Sequence, residues 1–281
     1  MKKVVLSISA MLFVGVAAIA QGNTSSVNQV GNSNQGIANQ KGQINDSKID
    51  QAGDSNKSEV FQGKQPMDYT AISNLADVKQ TGNSNIAFVS QSNHDNKAYQ
   101  TQTGDSNKAT IWQDQIAAPA SALGGFDTAT QVQTGNNNEA IVDQGTTGNE
   151  KPTGAPFNAA QLAAVNAVPV PFAPHNSNEA TQTQNGDGNY AYATQGGVEN
   201  KSWQTQTSPT GTSVADGNKS YHYQYGEENS ATTIQNGTKL TESTLQIGNK
   251  NTATVTQTGA SHSSVAFSHG NMNSIIVNQS N

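Results

Sequence analysis

The 281-residue sequence has no cysteine and no arginine, and charged residues make up only 12% of it. Without cysteine there is no disulfide framework and no thiolate metal site. All fourteen basic residues are lysines, set against twenty acids for a net charge of −6. A polyanion is repelled by that balance and finds no bidentate guanidinium fork, so nucleic acid is excluded as a partner. Long apolar runs are missing except at the start, where Met1-Lys2-Lys3 leads into an apolar stretch ending Ala18-Ile19-Ala20. This pattern predicts a secretory signal over residues 1–20 with cleavage before Gln21. No later stretch is apolar enough to span a bilayer, so the mature chain reads as secreted rather than integral to a membrane. Hydrophobic residues are 33% of the chain. Such a composition suits either a disordered segment or a Gln/Asn-rich chain that stacks as cross-β, and the arrangement of residues decides between them.

What is present is one unit, repeated. Aligning the glutamines gives QVGNSNQGIANQ, QTGNSNIAFVSQ, QTGDSNKATIWQ, QTGNNNEAIVDQ and QIGNKNTATVTQ, or Q-x-G-x-x-N-x-A-x-x-x-Q, each closing glutamine opening the next unit. Nineteen closing positions follow: Gln29, Gln40, Gln51, Gln62, Gln80, Gln91, Gln102, Gln113, Gln133, Gln144, Gln184, Gln195, Gln206, Gln224, Gln235, Gln246, Gln257, Ser268 and Gln279. Six residues before each lies an asparagine in sixteen units, among them Asn34, Asn56, Asn85, Asn107, Asn138, Asn189, Asn229, Asn251 and Asn273; Asp127, Leu240 and His262 replace it elsewhere. Four residues before lies Ala, Ser or Gly in seventeen, Glu242 and Ile275 being the exceptions. Where the step stays at eleven, the second residue after the glutamine is glycine in thirteen of fourteen cases, with Asn93 the other. Both types tolerate positive φ, which marks a tight turn. Insertions of seven, nine, twenty-nine and seven residues, near 63–73, 114–126, 145–177 and 207–217, lengthen the remaining four turns. The longest is expected to hold a short helix over 158–167, either as a docking patch or folded onto the solenoid.

Between asparagine and glutamine the side chains alternate with period two, the mark of a strand. Asn107, Ala109, Ile111 and Gln113 share one face and Lys108, Thr110 and Trp112 the other. The central inward residue is often Val or Ile but is Gln100, Gln131, Gln182 and Gln204 in four odd-numbered strands. Two strands therefore make one rung of 22 residues. The expected fold is all-β: a parallel β-solenoid of two facing sheets, nine to ten rungs long, amyloid-like when polymerised. Its Asn and Gln columns should form stacked amide ladders in which each side chain donates to the copy above and accepts from the copy below.

This signature resembles the curlin repeat of bacterial curli fibre subunits over nearly all of residues 23–281, making 21–281 a curlin-like repeat domain. The resemblance implies a subunit that leaves the cell unfolded through an outer-membrane export pore, with periplasmic accessory proteins, and polymerises on a nucleator subunit into an extracellular cell-surface fibre of the biofilm matrix. Family members usually carry a non-repetitive export segment; here only Gln21 and Gly22 precede the first unit, so the earliest polar units are expected to serve for targeting.

The implied partner is another copy of the chain. Residues 251–281 contain no Lys, Asp, Glu or Pro and include Ser274-Ile275-Ile276-Val277-Asn278-Gln279. That is a strong cross-β segment, and Ile275, Ile276 and Val277 are the candidate polymerising end. Lys48, Asp50, Glu59, Lys79, Lys97 and Asp143 place gatekeeping charges in earlier units. Asp54, Asp105 and Asp187 read as solvated turn residues. His94, His175, His222, His262 and His269 share no metal-ligand spacing and read as surface histidines. Tyr99, Trp112, Tyr192, Trp203, Tyr221 and Tyr223 face outward, where cross-strand packing and lateral fibril contact are expected. No recurring cluster of carboxylates and bases suggests an enzyme, and nothing calls for a cofactor. The alternative is a monomeric secreted β-solenoid adhesin or surface-binding protein.

Overall fold

The computed structural model describes residues 22–63, 71–113, 124–145, 151–153, 155–168 and 176–281. Residues 1–20, where a secretory signal is expected, His175 and parts of the first three insertions lie outside the described residues.

Strand-forming segments of six to nine residues coil alternately between two parallel sheets. One has ten strands: Thr24–Val30, Asp46–Ala52, Leu75–Thr81, Lys97–Thr103, Thr128–Thr134, Glu179–Asn185, Lys201–Thr207, Ser230–Thr238, Thr252–Ala260 and Ser274–Ser280. The other has nine: Gln35–Gln40, Lys57–Gln62, Ile86–Gln91, Lys108–Gln113, Glu139–Gln144, Tyr190–Val198, Lys219–Glu227, Thr241–Ile247 and Ser263–His269. Glutamine pairs with glutamine throughout the first sheet, as in Gln29↔Gln51 and Gln102↔Gln133, and the insertions do not shift this register. The chain is thus an all-β parallel solenoid. A third, small sheet of Gly42–Gln43, Ala71–Ile72 and Asn93–His94 stacks along one row of turns.

Glycine is required in the turns because successive arcs stack backbone on backbone. A Cβ on Gly104, at φ +110°, would lie 2.1 Å from the Gly135 carbonyl oxygen. A second left-handed residue sits just before the asparagine, as at Ser33, Ser55, Ser84 and Ser106 with φ between 57° and 59°. The repeat spacing marks only the glycine. Serine tolerates this conformation less readily, but the rung beneath over-determines it: Ser106 N donates to Asn83 O at 2.9 Å, continuing the parallel ladder through the turn.

The interior is thin. Ile49, Val60, Val78, Val89, Ile111 and Val142 pack with Ala76, Ala87, Ala98, Ala129, Ala180 and Ala193 in one apolar cluster. Burial of each valine or isoleucine contributes roughly 1.5–3 kcal/mol. A smaller cluster of Ala253, Val255 and Ala266, with Ile275 and Val277 against it, closes the C-terminal end. The 145–177 insertion carries helix α1, Ala159–Asn166, whose N-cap Asn158 forms a capping box with Gln161. Phe157 and Val165 bury against Tyr225, Leu245 and Ile247 on the outer face of the nine-stranded sheet. The longest insertion is therefore folded onto the solenoid.

Candidate functional site

The strand alternation that aims every closing glutamine inward also sets it above its equivalent one rung below. In the ten-stranded sheet each Nε2 donates to the next Oε1, from Gln29 through Gln51, Gln80, Gln102, Gln133, Gln184, Gln206, Gln235 and Gln257 to Gln279, at 2.7–2.9 Å. In the nine-stranded sheet the same chain runs from Gln40 through Gln62, Gln91, Gln113, Gln144, Gln195 and Gln224 to Gln246 at 2.8–3.0 Å. Ser268, the next residue in that column, ends it. The amides also bond across the interior: Gln102 Nε2 donates to Ile86 O and Gln133 Nε2 to Lys108 O, both at 3.0 Å. Each glutamine so ties its sheet along the axis and to the opposite sheet, a link that spacing alone did not reveal.

The asparagines run the other way. The backbone N–H of each donates to Oδ1 of the asparagine below, at 2.7–3.1 Å through Asn23, Asn45, Asn74, Asn96, Asp127, Asn178, Asn200, Asn229, Asn251 and Asn273. In the other sheet the column is Asn34, Asn56, Asn85, Asn107, Asn138, Asn189 and Asn218, at 3.0–3.3 Å, and it ends where Leu240 N donates to Asn218 Oδ1. Each free amide hydrogen secures a turn, as where Asn107 Nδ2 donates to Gly135 O at 2.7 Å. The expected direction, donor to the copy above, therefore holds for glutamine and is reversed for asparagine. The reversal arises because asparagine, one methylene shorter, reaches the backbone of its own column.

The turn acids correct a second expectation. Oδ1 of Asp54, Asp105 and Asp187 accepts the backbone N–H of Asn32, Asn83 and Asn136 at 2.7–2.8 Å. Asn83 and Asn136 in turn accept from Asp54 and Asp105. This third ladder ends beneath the 207–217 insertion, where Gly211 N donates to Asp187 Oδ2 at 2.6 Å. Asp54 and Asp105 are exposed as expected, but Asp187 is not a solvated residue: it is buried, at 6% exposure.

His222 is not a surface histidine but is fully buried, because it occupies the central inward position of its strand. Its ring nitrogens lie 2.8 Å from Ser202 Oγ and 2.8 Å from Thr233 Oγ1, and Nε2 lies 3.5 Å from Glu242 Oε2. Glu242, also fully buried, accepts from Ser220 at 2.9 Å and from Thr244. Burial lowers the His222 pKa to about 3 and raises that of Glu242 to about 7. Neutral imidazole facing a carboxylic acid is the form this interior favours. The inward column of Gln100, Gln131, Gln182 and Gln204, bonded at 2.8–2.9 Å, leads into this belt through Gln204 Nε2 donating to Ser220.

Among the outward aromatics, Phe61, Phe88 and Trp112 follow one another at 5.8 and 6.0 Å between ring centroids. Tyr192 lies against Tyr223 at 5.6 Å with the rings tilted and is only 3% exposed, and Phe157 of the long insertion meets Tyr223 edge-on. Lateral contact through Tyr192 is therefore blocked. Lys48 pairs with Asp50 at 2.7 Å, whereas Asp143 is nearly buried.

Ser274–Ser280 is the last strand of the ten-stranded sheet and pairs on one side only. Ile275, Val277 and Gln279 point inward and are half-covered, while Ile276 faces out at 71% exposure. Both ladders of this sheet reach that strand unbroken, although its partner sheet has lost both by Leu240 and Ser268. Among the described residues no helix is long and apolar enough to cross a membrane.

No curated protein matches the chain. Residues 246–280, which span the last three strands and their turns, match the family model of the curlin associated repeat. That segment carries the same glutamine, glycine and asparagine columns that run in register through the rungs before it, and over residues 246–280 the chain carries a curlin associated repeat.

Proposed function

We propose that this protein is the structural subunit of an extracellular, curli-like amyloid fibre that polymerises by edge-to-edge β-stacking and serves as biofilm matrix and in surface adhesion. The observation that carries the reading is the open strand Ser274–Ser280, uncharged, with the glutamine and asparagine ladders of its sheet running to it without a break. An unpaired parallel edge of this kind templates another strand, and fixed amide columns set the register in which that strand arrives. Charges lie on earlier rungs, as in the Lys48–Asp50 and Lys108–Glu139 pairs, and restrain association there. Export through an outer-membrane pore, accessory proteins and a nucleator belong to the same proposal and rest on the family alone.

The test is to dilute residues 21–281 from denaturant and follow thioflavin T, beside a chain lacking 251–281. Fibres after a lag, with slower growth of the shortened chain, are the expected result. Equal growth of both chains would remove the C-terminal strand from the account.

A further inference from the structure

The described solenoid has ten strands in one sheet and nine in the other, and both its first strand, Thr24–Val30, and its last, Ser274–Ser280, belong to the ten-stranded sheet. Resting on the polymer reading above, we infer that successive copies in the fibre are turned by half a revolution about its axis, so that the ten-stranded sheet of one copy continues the nine-stranded sheet of the next.

The argument is one of unpaired backbone. If copies stacked without rotation, Ser274–Ser280 would meet Thr24–Val30 of the next copy. On the other side Ser263–His269 would face Gln35–Gln40 across a missing strand. Every junction would then leave two strand edges of six or seven residues unpaired inside the fibre, and each unpaired buried group is costly. A half-turn removes the vacancy. After Ser274–Ser280 the coil next enters the nine-stranded side, where the incoming Thr24–Val30 pairs on Ser263–His269. The incoming Gln35–Gln40 then pairs on Ser274–Ser280.

The two sheets share the inward spacing of asparagine, small residue, centre and glutamine, so the backbones fit in register; at Ser263–His269, where His262 and Ser268 replace the two amides, the incoming Thr24–Val30 pairs through its backbone. Gln279 Nε2 donates upward to Gln40 Oε1 of the next copy, below which no strand lies within its own chain among the described residues. Ile275, the bulkiest residue of the small-residue column, meets Gly36, which has no side chain. The junction is heterologous and open, so it builds a filament rather than a closed ring. Two copies make one axial repeat of roughly 90 Å at about 4.8 Å per strand. The face covered by α1 then alternates from side to side along the fibre.

The absence of cysteine makes the junction directly testable. Chains of residues 21–281 carrying single substitutions are mixed in equal amounts, polymerised, oxidised and run without reductant. In the half-turn arrangement Asn278 lies beside Asn39 of the next copy, one strand spacing away and within reach of a disulfide. Without rotation it lies beside Asn28. The expected result is a strong dimer band from N278C with N39C and little from N278C with N28C. The opposite pattern, in fibres confirmed by electron microscopy, overturns the half-turn and leaves the polymer reading standing. Absence of fibres from the unsubstituted chain overturns both.

Discussion

At the residue scale the solenoid is held by amides that each serve two strands. Gln133 accepts from Gln102, donates to Gln184 and bonds Lys108 O across the interior. Gln133→Leu fills the space but removes all three of these hydrogen bonds and leaves the buried Gln184 Oε1 without its amide donor. It should lower stability by about 1–3 kcal/mol in a urea titration of the monomer. The belt around His222 predicts a pH profile. An unfolded chain titrates near the ordinary values of 4.5 for glutamate and 6.5 for histidine, whereas the folded values are about 7 and about 3. Above 6.5 the folded state alone keeps the Glu242 proton, so stability falls as pH rises to about 7. Between 4.5 and 6.5 the unfolded histidine proton balances the folded glutamate proton and stability is level. Below 4.5 the unfolded state holds one proton more and stability falls towards pH 3. Glu242→Gln should abolish the alkaline decline and keep the acid one; a decline that survives in this variant would show that another group causes it. Both residues could have been placed from the sequence, since the period-two pattern points His222 and Glu242 inward.

At the scale of elements, strands, their parity and their register follow from the spacing of glutamine and asparagine. Turn geometry is only half encoded: glycine marks one left-handed residue, while the second is Ser33 in one turn and Glu228 in another, with φ 57° and 54°. No residue type signals it because the rung beneath imposes it. Gly104→Ala, with a Cβ 2.1 Å from Gly135 O, should prevent two arcs from stacking and lower the urea midpoint strongly. Gly211→Ala meets nothing within 4 Å and should change the midpoint much less, despite a φ of +80°. Equal effects would mean that backbone conformation, not stacking distance, makes these glycines necessary. Helix α1 was visible as a helix, but the sheet it packs on was not, since an insertion carries no register of its own.

At the scale of the whole molecule, the two sheets differ although one repeat builds both. The ten-stranded sheet keeps its two ladders to the last strand, and the nine-stranded sheet loses them at Leu240 and Ser268 while α1 covers part of its outer face. Growth is therefore expected to depend on the ten-stranded sheet. Ile275→Lys or Val277→Lys, which put a charge into the thin interior at the edge, should lengthen the thioflavin T lag several-fold. The central claim is that this parallel two-sheet solenoid is itself the unit that polymerises. The most direct measurement is X-ray fibre diffraction from aligned material grown from residues 21–281. The account predicts fibres with a meridional reflection near 4.8 Å and an equatorial one near 10 Å. A monomer that stays soluble at high concentration, β-rich by circular dichroism and without fibres, would contradict it and point to a surface-binding solenoid.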